Sequence, residues 1–173
     1  SIKLNVVALR GFNDDELMDF VDLTKENDIT VRFIELMPFD SHQIWKTGKF
    51  YGADHIVADI KNQIDELNPI GGSRTEHHIF RVNDYKGKVA VIPAYSRSLC
   101  GACNRIRITA DGKLLNCLYS QDETNLRDAM RTGKTDMMIK KMIYGTMKKK
   151  FKDGWEAQNQ GNDNRESMTQ IGG

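Results

Sequence analysis

The first part of the chain alternates apolar runs with an amphipathic segment, in the order strand, helix, strand. Residues 3–9 and 30–36 are apolar runs typical of buried strands. Between them, apolar positions recur at helical spacing over 17–24, and Asn13 followed by Glu16 predicts a capping box at the start of that helix. A strand–helix–strand unit of this length predicts two parallel strands.

The middle of the chain predicts a loop, a second amphipathic helix and a hairpin. Residues 40–53 read as a loop, and the apolar spacing over 57–67 predicts a helix that ends at the proline and glycines of 69–72. The apolar segments 79–82 and 88–92, separated by a turn near Lys86 and Gly87, predict two antiparallel strands.

The last third of the chain predicts two helices and a polar tail. The helices are expected at about 124–132 and 135–150, and the methionine-rich stripe over 138–147 is expected to pack into the core. The lysines of 148–152 are interpreted as a solvated helix end beside the negative end of the helix dipole, rather than as a phosphate site. Residues 153–173 are polar and rich in glycine, and we expect a flexible tail.

Composition and charge narrow the possible classes of protein. The chain has 173 residues, of which 39% are apolar and 28% charged, so a globular chain is expected rather than a disordered one. Lys and Arg number 25 and Asp and Glu 24, which argues against nucleic acid as a partner. No apolar run approaches the roughly 20 residues of a membrane span, and no signal peptide is visible. Because the chain opens within a strand and without Met, we expect a fragment or a processed product.

The three cysteines are the strongest candidates for chemistry. Cys100, Cys103 and Cys117 have the spacing C-x2-C-x13-C, and their odd number argues against a disulfide scaffold. Thiolates are soft ligands for Fe–S clusters or zinc. No fourth cysteine exists, and no histidine falls at close zinc-finger spacing. A [4Fe–4S] cluster with three cysteines would leave one iron open, whereas zinc with a distant histidine and unligated core thiols are the alternatives.

The segment between Cys103 and Cys117 predicts a hairpin with a defined register. A three-residue loop over 110–112, with glycine at its last position, predicts a type I turn followed by a bulge. This loop pairs Thr109 with Lys113, and therefore Arg105 with Cys117. A two-residue loop would send Cys117 to the opposite face, so we prefer the register that brings the three sulfurs together.

Alternation along the first strand of this hairpin separates its charged and apolar residues. Cys103, Arg105 and Arg107 share one face, and Ile106 and Ile108 share the other, where we expect them to enter a core. Two guanidinium groups beside thiolates are suited to binding phosphate or another anion through paired hydrogen bonds.

The cysteine hairpin resembles a known family. Residues 100–118 are similar to the C-terminal cluster motif of the GTP 3′,8-cyclase family, the radical-SAM enzymes of molybdenum cofactor biosynthesis. Residues 5–17 resemble a barrel strand and its helix in that family, and 31–38 resemble the next strand. The ending 171–173 is similar to the family's double-glycine tail. The resemblance therefore runs from end to end, in the same order.

The resemblance implies an α/β fold with two parts. Residues 1–39 would hold the last strands and helices of an incomplete (β/α) radical-SAM barrel. Residues 40–152 would form an α+β C-terminal Fe–S cluster domain, and 153–173 a flexible tail. The sequence has no C-x3-C-x2-C motif, which supplies the first cluster of the family. We therefore expect the C-terminal half of an enzyme, inactive by itself.

The resemblance also assigns roles to residues. The ligands of the second [4Fe–4S] cluster would be Cys100, Cys103 and Cys117. The residues that contact GTP would be Arg105, Arg107, Arg32 and Lys3. The residues with a part in catalysis would be Arg105 and the tail residues Gly172 and Gly173, whose lack of side chains lets them enter a narrow site.

Partners and location follow from the same resemblance. The family converts GTP to 3′,8-cyclo-7,8-dihydro-GTP, and S-adenosylmethionine and a first [4Fe–4S] cluster would belong to the missing N-terminal half. We expect a homodimer in the complete enzyme and cyclic pyranopterin monophosphate synthase as the downstream enzyme. The expected location is cytoplasmic, or the mitochondrial matrix in a eukaryote, with no membrane partner. The alternatives are a non-catalytic zinc module and a cluster protein that moves electrons.

Overall fold

The chain folds into two compact units. The computed structural model describes residues 2–37, 47–73, 77–96, 103–153, 156, 157 and 159. The first unit holds the described residues up to 96, and the second holds those from 103 onward. The division at residues 39 and 152 into a barrel end, a cluster domain and a tail stays a prediction, and most of 153–173 lies outside the described residues.

A parallel strand–helix–strand motif opens the first unit, as predicted. Strand β1 (Ile2–Ala8) is followed by helix α1 (Leu17–Glu26) and strand β2 (Ile29–Glu35). The two strands are parallel, with Ile2 opposite Ile29 and Ala8 opposite Glu35.

The predicted capping box at Asn13 is wrong. The residue before α1 is Glu16, and no side chain caps this helix. Asn13 instead stabilises the turn after β1, because its Oδ1 accepts from the Leu9 N–H at 2.8 Å and its Nδ2 donates to the Val7 carbonyl at 3.0 Å. An asparagine side chain that bonds nearby backbone groups favours a turn over a helix cap.

The remaining elements of the first unit complete a mixed sheet. Helix α2 (Ala53–Lys61) precedes strands β3 (Leu67–Ser73), β4 (His77–Val82) and β5 (Lys88–Ile92). The strand order is β1-β2-β5-β4-β3, in which β5 is parallel to β2 while β4 is antiparallel to both β5 and β3. The predicted hairpin over 79–92 is confirmed.

Strand β3 replaces the end of a predicted helix. The sequence places a helix over 57–67 that ends at 69–72, but α2 ends at Lys61 and the proline and glycines lie within β3. The strand register is irregular between Pro69 and Gly71, and β3 is an edge strand of the sheet. Proline, which cannot donate a ladder hydrogen bond, is tolerated at such an irregular edge position.

Both helices of this unit pack on one face of the sheet. Residues of one parity along the strands are buried against α1 and α2, and they include Val31, Phe33, Val89 and Val91. Lys3 and Arg32 have the other parity and lie on the opposite face. A mixed α/β fold is thus observed, whereas its derivation from a radical-SAM barrel stays a prediction.

The second unit combines a small antiparallel sheet with two helices. Strands β6 (Arg107–Ile108), β7 (Lys113–Leu115) and β8 (Thr124–Asn125) form a sheet in the order β6-β7-β8. Helices α3 (Leu126–Arg131) and α4 (Asp136–Lys148) follow and contact β7, and α4 also contacts β8. Both helices were predicted from the sequence.

Helix α4 buries less of its methionine stripe than the sequence predicts. Thr146 is its buried residue, while Ile139, Met142, Ile143 and Met147 are half-buried. Met138 is 51% exposed, so its predicted place in the core is wrong. Within the described residues, no helix is long and apolar enough to span a membrane.

Candidate functional site

The hairpin in the second unit has the register that the sequence predicts. Arg107 lies opposite Leu115, and Ile108 lies opposite Leu114. The paired residues end at Arg107 and Leu115, so the pairing of Arg105 with Cys117 stays a prediction. This register confirms the three-residue loop and excludes the two-residue alternative.

The turn of this hairpin depends on Gly112. Its φ of +80° is in the left-handed region, and its N–H donates to the Thr109 carbonyl at 2.9 Å. The Thr109 N–H donates to the Lys113 carbonyl, also at 2.9 Å, which closes the loop. A Cβ on Gly112 would lie 2.6 Å from the Cβ of Arg127, so the turn also needs glycine for space.

Cys103 lies half-buried before β6, among hydrogen-bond donors and positive charge. Burial alone would raise the pKa of its thiol, but a hydrogen bond from the Arg105 backbone, a hydrogen bond from Lys150 and the charges of Lys150 and Arg105 together lower that pKa below its usual value. The thiolate, which is the form that binds metal, is therefore easier to form at Cys103 than at an ordinary cysteine.

Lys150, just beyond α4, provides part of this environment. Its Nζ lies 3.4 Å from the Cys103 Sγ and 3.0 Å from the Arg105 carbonyl oxygen. The prediction that the lysines of 148–152 form only a solvated helix end is wrong for Lys150, which is half-buried.

Arg107 stands within electrostatic reach of both described thiols. Burial and the positive charge of Arg105 lower the pKa of its guanidinium, while Cys117 and Cys103 act in the opposite direction. The two cysteines are free thiols, and both are half-buried. The structure therefore brings Cys103, Cys117, Arg105 and Arg107 into one electrostatic cluster.

The apolar face of β6 differs from the prediction. Ile106 is 45% exposed and Ile108 58% exposed, so neither enters the core. The reason is that β6 is the edge strand, whereas α3 and α4 pack against its neighbour β7, where Leu114 and Leu115 are buried.

The cysteines and cations that the structure describes fit a group that is held by thiolates. Cys103 and Cys117 flank the hairpin, and the neighbouring cations compensate thiolate charge. Among the described residues, no three histidine, cysteine or carboxylate side chains converge as metal ligands. Cys100, Gly172 and Gly173, the remaining predicted site residues of this region, lie outside the described residues.

Lys3 and Arg32 lie together on the first unit. Lys3 is opposite Thr30 and Arg32 is opposite Asn5, so the two basic residues are on neighbouring strands of the same sheet face. Lys3 is exposed and Arg32 half-buried. This placement leaves both side chains on the face that α1 and α2 do not cover.

Glu35 is a buried carboxylate that the sequence analysis did not single out. It ends β2 and is 1% exposed. Its Oε1 accepts from the Ala53 N–H at 2.6 Å and from the Ser96 hydroxyl. Its Oε2 accepts from the N–H groups of Tyr95 at 2.8 Å and Ser96 at 2.7 Å. The alternation of Val31, Phe33 and Glu35 places a carboxylate on a core face, and that pattern was the available signal.

The sequence places the chain in a family. Residues 29–155 match the family described as Molybdenum Cofactor Synthesis C, and the chain belongs to this family. The match covers β2 to β5 of the first sheet and the cysteine hairpin, and it begins after β1 and α1.

Individual relatives are GTP 3′,8-cyclases and molybdenum cofactor biosynthesis proteins. The GTP 3′,8-cyclase of Chlorobaculum tepidum is 43% identical over 173 residues, which are 100% of this chain and 52% of that protein. The mitochondrial GTP 3′,8-cyclase of Arabidopsis thaliana is 35% identical over 86% of this chain and 38% of its own length. Molybdenum cofactor biosynthesis protein 1 of Homo sapiens is 35% identical over 86% of this chain and 23% of its own length. The chain thus spans about half the length of the Chlorobaculum relative.

Proposed function

We propose that this chain acts as the C-terminal half of a GTP 3′,8-cyclase, which converts GTP to 3′,8-cyclo-7,8-dihydro-GTP in molybdenum cofactor biosynthesis. The observation that carries the proposal is the hairpin that holds Cys103, Arg105, Arg107 and Cys117, where the Lys150 Nζ lies 3.4 Å from the Cys103 Sγ. That hairpin lies within the residues that match the family.

The cysteines would hold the second [4Fe–4S] cluster. Cys103 and Cys117 provide two thiolates at the hairpin, and Cys100 would provide the third. When bound, such a cluster would offer an iron with an open coordination position to the substrate. The positive charge of Arg105, Arg107 and Lys150 would compensate the charge of the thiolates and of an anionic substrate.

The basic residues would hold GTP. Arg105 and Arg107 can each present two parallel N–H groups to a phosphate, and Arg107 is half-buried, which strengthens an ion pair. Lys3 and Arg32 would contact substrate from the sheet face that the helices leave uncovered. Gly172 and Gly173 would reach the active site as a tail without side chains.

The residues that start the radical reaction would lie outside this chain. The chain's cysteines form one C-x2-C-x13-C set and no C-x3-C-x2-C set. A first cluster and S-adenosylmethionine would therefore be supplied by an N-terminal half, and this chain alone would be inactive. The complete enzyme would be a homodimer whose product passes to cyclic pyranopterin monophosphate synthase.

The chain is expected to take up iron and sulfide when reconstituted without oxygen. We expect about four irons and four sulfides per chain, the stoichiometry of one [4Fe–4S] cluster, together with its EPR signal after reduction. Cys103→Ser and Cys117→Ser should each lose most of this iron, because a hydroxyl is a poor substitute for a soft thiolate ligand.

Metal analysis also separates the cluster from the zinc module. Stoichiometric zinc without iron uptake would overturn the cluster assignment. Far-UV circular dichroism of the apo variants serves as the control for folding, since a serine in place of a half-buried cysteine should leave the secondary structure unchanged.

Arg107→Ala is expected to weaken GTP binding in the complete cyclase by about tenfold to a hundredfold, the loss of one charge-assisted pair. Arg105→Ala should act in the same direction. The matched control is Arg131→Ala, which removes an exposed arginine at the end of α3. Equilibrium binding of GTP to the reconstituted variants is the measurement, and affinities equal to that of Arg131→Ala would remove both arginines from the substrate site.

A further inference from the structure

Lys150 makes two contacts that a solvated lysine would not make. It lies two residues after the end of α4, and its amine is within hydrogen-bond distance of the Cys103 Sγ and of the Arg105 carbonyl oxygen, at 3.4 and 3.0 Å. The amine therefore links the Cys103 sulfur to the backbone of Arg105.

The neighbouring lysines have other partners. The Nζ of Lys149 lies 3.3 Å from the Asp122 carboxylate in an exposed ion pair. The Nζ of Lys148 lies over the Tyr144 ring, 4.8 Å from its centroid. Among the contacts described for residues 148–150, those with the cysteine hairpin are made by the amine of Lys150.

An ammonium group at this place has a defined electrostatic effect on a thiolate-ligated cluster. A hydrogen bond and a positive charge at a ligand sulfur stabilise the reduced form of a cluster, which carries one more negative charge than the oxidised form. The second contact, to the Arg105 carbonyl, fixes the position of the amine and restrains the backbone that carries the Arg105 guanidinium.

We propose that Lys150 is a positioning residue of the cysteine hairpin, which raises the reduction potential of the cluster held there and orients Arg105. This inference rests on the proposed function, because it requires a cluster on Cys103. The contacts of Lys150 are independent of the resemblance to the cyclase family, since they follow from the geometry of the second unit alone.

Lys150→Met removes the charge and the donor while it keeps most of the length of the side chain. In the full chain, reconstituted without oxygen, we expect the midpoint potential of the cluster to shift to more negative values, as measured by EPR-monitored redox titration. Lys149→Met is the matched control, because it removes the adjacent charge without a contact to the hairpin, and it should keep the wild-type potential. Lys150→Arg keeps the charge and the donors, so its midpoint potential should stay close to that of the wild type.

The midpoint potentials and iron contents of these variants test this inference separately from the proposed function. A midpoint potential of Lys150→Met equal to that of Lys149→Met, with wild-type iron content, would overturn this inference and leave the proposed function standing. Iron loss in Lys150→Met with normal uptake in Lys150→Arg would support it. Equal iron loss in both Lys150 variants would overturn it, because a packing role responds alike to both. A wild-type chain that takes up no iron would overturn the proposed function and this inference together.

Discussion

A Glu35→Gln variant is expected to lose about 3 kcal/mol of unfolding free energy relative to the wild type, because it leaves buried N–H groups without an acceptor. The carboxylate is buried, and its two oxygens accept from the backbone of Ala53, Tyr95 and Ser96. An amide keeps one oxygen but turns the other position into an NH2 group, which meets at least one N–H of the protein donor to donor. The hydrogen bonds that remain also lose the assistance of the negative charge.

Urea denaturation followed by far-UV circular dichroism measures this loss. The matched control is Glu26→Gln on α1, where the carboxylate is 74% exposed and pairs with Lys86 across 2.8 Å. An exposed ion pair contributes little to stability, so this variant should keep nearly the wild-type midpoint. If Glu35→Gln and Glu26→Gln shift the midpoint equally, Glu35 does not hold the described segments together.

A Gly87→Ala variant is expected to lose about 2 to 3 kcal/mol of unfolding free energy, because there is no space for a methyl group. A Cβ at this position would lie 2.4 Å from the Ile29 carbonyl oxygen and 2.6 Å from that of Asn27. The Gly87 N–H also donates to the Thr24 carbonyl at 2.8 Å, which holds the glycine against α1. Backbone oxygens cannot turn aside as a flexible side chain does, so the chain itself must move.

Gly71→Ala is the control for this substitution. A Cβ on Gly71 meets no atom within 4 Å, and Gly71 has no left-handed backbone conformation. Its thermal midpoint should be equal to or slightly above that of the wild type, since alanine reduces the entropy of the unfolded chain. A Gly87→Ala midpoint as high as that of Gly71→Ala would show that β5 can shift away from α1 at little cost.

The elements that the sequence predicts well are those with strong local signals. The parallel pair of β1 and β2 follows from two apolar runs with a helix between them. The register of the cysteine hairpin follows from the length of its loop and from a single glycine, because Gly112 supplies the left-handed residue that this loop requires.

The elements that the sequence misses depend on tertiary contacts. The proline and glycines of 69–72 normally end a helix, but an edge position next to a strand irregularity accommodates them in β3. The exposure of Ile108 depends on which strands α3 and α4 cover, and strand alternation alone does not give that information.

Of the basic residues around the cysteines, the sequence predicts those that are close in the chain and misses the one that depends on a tertiary contact. Arg105 and Arg107 are near the cysteines in sequence, so alternation places them on the cysteine face. Lys150 is 47 residues from Cys103 along the chain, and its contact depends on how α4 packs in the second unit. Such a contact has no signature in a single sequence, in which a lysine after a helix is usually solvated.

The hydrogen-bond partners of Glu35 also limit how far the first unit can be shortened. Its hydrogen-bond donors come from Ala53, at the start of α2, and from Tyr95 and Ser96, which follow β5. The carboxylate and its partners are therefore separated by as many as 61 positions along the chain. A segment that contains β2 but ends before Ser96 would carry a carboxylate on a core face without its full set of donors. The first unit consequently cannot be shortened from its C-terminal side to a point before Ser96 without leaving this buried carboxylate short of hydrogen-bond donors.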